Sequence, residues 1–154
     1  MAAGYQVGTR EQPVEIALHG GSRLAGEMFL RPGAMHAESI ADRLNDGESF
    51  FPMRHDGAVL LVGKRQVRYV VAPPLEDDDP VADQRESLPQ LLVIAELDDG
   101  EQITGTLFVD SPPGHVRALD YVNGPRRAFV PLAQLDREYL INRDFIRHIR
   151  DVRM

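Results

Sequence analysis

Val93-Ile94-Ala95-Glu96-Leu97-Asp98-Asp99-Gly100-Glu101-Gln102-Ile103-Thr104-Gly105-Thr106-Leu107-Phe108-Val109 follows the pattern of Val14-Glu15-Ile16-Ala17-Leu18-His19-Gly20-Gly21-Ser22-Arg23-Leu24-Ala25-Gly26-Glu27-Met28-Phe29-Leu30. Val14 falls on Val93, Leu18 on Leu97, Gly21 on Gly100, Gly26 on Gly105 and Phe29 on Phe108. One deletion in the next loop brings Asp42 onto Asp120 and Asn45 onto Asn123. The register then returns with Phe50 on Phe129, Pro52 on Pro131, Leu61 on Leu140, Val67 on Ile146 and Arg68 on Arg147. Glycines, an Asp/Asn pair and apolar positions in one order argue for an internal duplication of residues 14–70 as 93–149.

Each copy alternates apolar and polar residues around a glycine turn, the signature of half-buried strands in a hairpin. Asp98-Asp99-Gly100 and His19-Gly20-Gly21 are the turns. Gly26 and Gly105 fall inside the second strand, where glycine marks a bulge, a bend or a close backbone approach. A short helix is expected over 37–45. Its counterpart, 116–123, suits either a helix or a strand. Short strands follow at 49–53 and 58–62, and at 128–132 and 139–141. Turns at 63–65 and 142–144 lead to closing strands at 66–71 and 145–152.

The expected fold is therefore mainly β, with two tandem small barrel-like lobes, each carrying its helix between the second and third strands. Residues 1–13 read as a loose lead-in, 14–72 as the first repeat, 73–90 as an acidic Pro-rich linker and 91–154 as the second repeat. The linker places Glu76, Asp77, Asp78, Asp79, Asp83 and Glu86 against Arg85 alone. Charge and proline favour an exposed tether, with at most one helical turn over 81–88. A lobe of roughly 60 residues buries only about 60% of its unfolded surface, so the lobes are expected to pack together or the chain to form homo-oligomers.

The glycine-turned hairpin and the terminal strand-turn-strand unit, Tyr139-Leu140-Ile141-Asn142-Arg143-Asp144-Phe145-Ile146, resemble the Sm-like and SH3-like small barrels. The resemblance spans most of each copy and implies a strongly bent five-stranded sheet. Sm-like proteins carry their helix before the first strand, whereas here it falls between the second and third. Their RNA-binding loop pattern is not found here, so no site is carried over. Arg117-Ala118-Leu119-Asp120-Tyr121-Val122-Asn123 also resembles a motif of uncharacterised bacterial proteins and brings no activity with it.

The net charge of −7 lacks the basic excess of a nucleic-acid surface. The chain has no cysteine, which excludes disulfides and thiolate metal sites. No apolar run reaches membrane-spanning length, and a cytoplasmic protein is expected.

Asp42 with Asn45, and Asp120 with Asn123, are the polar residues present in both copies. Three apart on a helix, each pair shares a face. They read as a helix closure with a local backbone bond, or as two equivalent contact points for a partner. No histidine or nucleophile accompanies them in both copies at fixed spacing, so catalysis is not expected. His19, His36, His55, His115 and His148 share no metal-ligand spacing, and no cofactor is expected. Arg143 and Arg147, with Arg126 and Arg127, form a candidate anion-binding patch, since paired arginines can clamp phosphate. Arg143-x-x-x-Arg147 also resembles the start of the PilZ-like cyclic-dinucleotide motif, whose Asp/Asn-x-Ser-x-x-Gly element is absent. The leading expectation is a non-enzymatic bacterial adaptor or regulator that binds another protein through a strand edge or the loop after the second strand. A small anionic ligand or nucleotide sensor is the alternative, and Sm-like RNA binding a further one.

Overall fold

The structure, a computed structural model, describes residues 10–32, 38–75, 79–109, 118–125 and 127–152. The first half runs β1 (Arg10–Leu18), β2 (Arg23–Leu30), α1 (Ile40–Leu44), β3 (Phe50–His55), β4 (Ala58–Gly63), a 3-10 turn (Lys64–Gln66) and β5 (Val67–Ala72). After α2 (Pro80–Glu86), the second half runs β6 (Gln90–Leu97), β7 (Gln102–Phe108), α3 (Ala118–Val122), β8 (Phe129–Ala133), β9 (Glu138–Asn142), a 3-10 turn (Arg143–Phe145) and β10 (Ile146–Asp151). The ambiguous segment 116–123 is a helix over Ala118–Val122, with Asn123 in the turn that follows.

All ten strands lie in one antiparallel sheet, in the order β10-β6-β7-β8-β9-β5-β1-β2-β3-β4, which does not close on itself. Counted within each half, both have the order fifth, first, second, third, fourth. The hairpin turns also match. Leu18 N–H donates to the Ser22 carbonyl and Leu97 N–H to that of Glu101, while Gly21 and Gly100 both have positive φ. Gly26 and Gly105 mark close approaches. A Cβ on Gly26 would lie 2.0 Å from the Arg54 carbonyl oxygen, and one on Gly105 2.8 Å from Leu132 Cβ. Both sites are where the second strand crosses the third, and a side chain there would force the strands apart.

Three expectations need correction. Residues 10–13 belong to β1, not to a loose lead-in, because they pair with β2 from Arg10↔Leu30 onward. Their polarity reflects one-sided pairing, since β5 joins β1 only from Glu15. The two halves do not form separate barrel-like lobes with a sheet each, because β5 and β9 pair directly through Tyr69↔Ile141, Val70↔Leu140, Val71↔Tyr139 and Ala72↔Glu138 and make one continuous sheet. The linker is more ordered than a tether from Asp79 onward. Asp79 caps α2 by accepting the Val81 N–H, and Arg85 stacks over Phe108, 4.8 Å from the ring centroid, while pairing with buried Glu138. Residues Glu76, Asp77 and Asp78 lie outside the described residues.

The core divides into two clusters that exchange residues across the β5–β9 joint. Phe129 and Leu140, from the second half, lie in the cluster built on Val14, Met28, Ile40, Leu44 and Val70. Ala17 and Tyr69, from the first half, lie in the cluster built on Val93, Leu107, Val130 and Ile141. Each half thus completes the other's core.

Candidate functional site

Residues Asp42 and Asn45 sit at opposite ends of α1. Ser39 caps the helix by accepting the Asp42 N–H, and the Asp42 carboxylate accepts the Ser39 N–H in return. This reciprocal capping box accounts for Asp42. Asn45 closes the helix, its N–H donating to the Ala41 carbonyl. Its side chain crosses to the other half: Oδ1 accepts the Phe129 N–H at 2.8 Å and Nδ2 donates to the Phe129 carbonyl at 3.1 Å. An amide has one donor end and one acceptor end, and here both meet one residue's backbone.

Further contacts cross the same joint. Asn142 Nδ2 donates to the Val67 and Lys64 carbonyls. Arg68 pairs with Asp98 and Asp99 at 2.9 and 2.7 Å. The Asp99 hydrogen bond raises the Arg68 pKa, and the Arg68 hydrogen bond lowers that of Asp99. Tyr69 donates its hydroxyl proton to Glu101 and accepts from Arg23. Burial, with the Glu101 bond, pushes the phenol pKa up.

The corresponding pair in the second half is placed differently. Asn123 is exposed at the end of α3, with no side-chain partner among the described residues. Asp120 is exposed on the same helix but does have an interaction.

The arginines expected to gather an anion are held by separate elements. Arg143 donates to the Val122 and Gly124 carbonyls at the C-terminal end of α3, where a cation meets the negative end of the helix dipole. Arg147 bonds Glu96 and the Asp98 carbonyl. Arg127 stacks on Tyr121, 4.4 Å from the ring centroid. Arg126 lies outside the described residues, as do Arg117, His36 and His115. The other histidines are dispersed. His19 lies against Phe145, His55 contacts the Ala25 carbonyl and Asp56, and His148 contacts Glu96. Among the described residues no group of His, Asp and Glu could hold a metal ion.

A cleft of about 620 Å³ opens between α1, α2 and β8, lined in part by Asp42, Asn45, Arg85, Tyr121 and Arg127. It shows the side chains of the capping box and the joint, which are already committed to structure.

A feature that residue identity alone does not reveal is the contrast between β3–β4 and their counterparts β8–β9. Phe129 and Leu140 are 2% and 0% exposed. Their sequence counterparts, Phe50 and Leu61, are 59% and 66% exposed. Strand β4 ends the sheet, so the backbone groups on its outer side have no strand partner among the described residues. Val59 and Leu61 alternate on one face of β4, and the Phe50 ring lies over Gly63 on that same face. Together they form an apolar stripe along an unpaired edge. No helix among the described residues is long and apolar enough to cross a membrane.

The chain matches no known protein family, no characterised protein and no solved structure.

Proposed function

We propose that this protein is a non-enzymatic, cytoplasmic adaptor or regulatory protein that acts by holding another protein chain along strand β4. Each five-stranded half is read as a small, open barrel-like lobe of the Sm-like or SH3-like kind. The shared strand order and the close crossings at Gly26 and Gly105 support that reading.

The observation that carries the function is the exposure of Phe50 and Leu61 on an unpaired edge strand. Natural sheets usually protect such edges with charge, proline or a covering element, because free N–H and C=O groups recruit other strands. The β4 edge instead carries Val59 and Leu61, the arrangement used where a partner adds a strand. Arg143 and Arg147 already have internal partners, which favours this reading over an anion sensor. The net charge of −7 favours it over RNA binding.

The test is affinity capture from the native host with the wild-type chain and with Leu61→Glu. Loss of bound protein in the variant, with a melting curve unchanged at low protein concentration, is the expected result. Equal capture by both would place the interaction elsewhere.

A further inference from the structure

The β5–β9 joint is a worked example of how one half seats on the other, and the molecule carries both sides of a second such joint, unused. The donor side of the existing joint is β9 with the start of β8, which present Leu140 and Phe129. The acceptor side is β5 with α1, which present Val70, Ile40, Leu44 and the Asn45 amide. Aligning the halves assigns the donor role a second time to β4 and β3, with Leu61 and Phe50. It assigns the acceptor role a second time to β10 and α3, with Ile149, Ala118, Val122 and the Asn123 amide.

The burial of these residues follows whether the joint is made. Val70, Ile40 and Leu44 are buried under Phe129 and Leu140. Their counterparts Ile149, Ala118 and Val122 are only partly buried at the margin of the second cluster. Asn45 grips the Phe129 backbone, whereas Asn123 is exposed with no side-chain partner among the described residues. Strands β4 and β10 are the two ends of the sheet. Four features (strand edge, donor side chains, acceptor surface and amide clamp) are thus open together among the described residues.

We propose that the occupant of the β4 edge is the β10 edge of a second copy of this chain. The joint would reproduce the internal one, with Leu61 opposite Ile149, Val62 opposite His148 and Asn123 closing on the Phe50 backbone. This rests on the functional reading above and names its partner. The contact is heterologous, because one edge meets a different edge, so chains add head to tail and either close into a ring or extend. Two free β4 edges meeting symmetrically would leave β10, α3 and Asn123 uncovered, which is why the head-to-tail arrangement is favoured. The two joints differ on the other face: the internal one buries Tyr69 beside Ile141 and sets Arg68 against Asp98 and Asp99, whereas the new one would carry Arg147, His148 and Arg150 there.

Two exposed substitutions separate the sides without touching the core. Leu61→Glu blocks the β4 side and leaves β10 intact, while Asn123→Arg blocks the β10 side and leaves β4 intact. Sedimentation or light scattering of the full chain reads the outcome. The wild type is expected to be larger than a monomer and each variant alone monomeric. An equimolar mixture of the variants should form a 1:1 pair, since each supplies the edge the other lacks. Self-association of Asn123→Arg alone, with no mixed pair, would show a symmetric β4 contact and overturn the proposal. A wild type that stays monomeric at high micromolar concentration would also overturn it. If that monomer still captured a host protein in a Leu61-dependent way, the functional reading would stand and only the second copy would be wrong.

Discussion

The side-chain amide of Asn45 closes on both backbone groups of Phe129, accepting its N–H at 2.8 Å and donating to its carbonyl at 3.1 Å. A helix end in one half thereby fixes the first residue of a strand in the other. Removing the amide leaves a partly buried backbone N–H without its partner, and such losses cost about 1–3 kcal/mol. Asn45→Ala should therefore lower unfolding stability by that amount in denaturant titrations. Asn123→Ala, measured on the monomer, should change it by no more than about 0.5 kcal/mol, the range of ordinary surface changes. Equal losses from both would remove the joint as the explanation.

Leu140 and Leu61 give the same contrast in packing. Leu140→Ala deletes methyl groups from a closed core and should cost about 2–5 kcal/mol. Leu61→Ala, on the same measurement at low protein concentration, should stay within about 0.5 kcal/mol. A large loss from Leu61→Ala at low concentration would mean that the β4 face is covered within the single chain.

Asp46 supplies a pH-dependent element. Burial alone would raise its pKa, but the Lys64 ammonium at 2.6 Å and the Glu48 N–H hold it below the ordinary carboxylate range. A carboxyl depressed on folding contributes stability that is fully present above its unfolded pKa, about 3.9, and is lost as pH falls through the folded value. The stability difference between wild type and Asp46→Asn should be largest above roughly pH 5 and shrink on acidification. A difference that stays constant down to about pH 2 would show that Asp46 is not acting through its charge.

The linker helix is held by a charge that needs a partner. Glu138 is buried, and its Oε1 meets Arg85 Nη1 as an ion pair rather than as an aligned hydrogen bond. Taking away one member of a buried pair strands the other, at about 3–5 kcal/mol. Arg85→Ala should destabilise toward that range and make the segment after Asp79 a faster site of limited proteolysis. Unchanged cutting would mean that α2 does not depend on this contact.

The strand pattern was legible because it rests on local signals. Alternation in Val14-Glu15-Ile16, the glycine turns and the glycines within β2 and β7 each report a backbone requirement of their own neighbourhood. The start of β1 has no such signal, because Arg10, Glu11 and Gln12 are polar, as one-sided pairing permits. Asn45 was legible as a helix closure, but its hold on Phe129 was not, since the partner lies in the other half of the chain. The contrast between Leu61 and Leu140 was equally hidden. Both are leucines at matching positions, and only the strand lying alongside decides which is buried. Arg85 looked like one cation in an acidic linker because nothing nearby in sequence points to Glu138.

The chain contains no cysteine, so a single introduced pair reports one contact without background. Leu61→Cys and Ile149→Cys chains, mixed and mildly oxidised, test whether the β4 edge meets the β10 edge of another copy. A disulfide-linked dimer is expected in the mixture, and little or none from Leu61→Cys alone. A dimer formed as readily by Leu61→Cys alone, or no crosslink in the mixture, would contradict it.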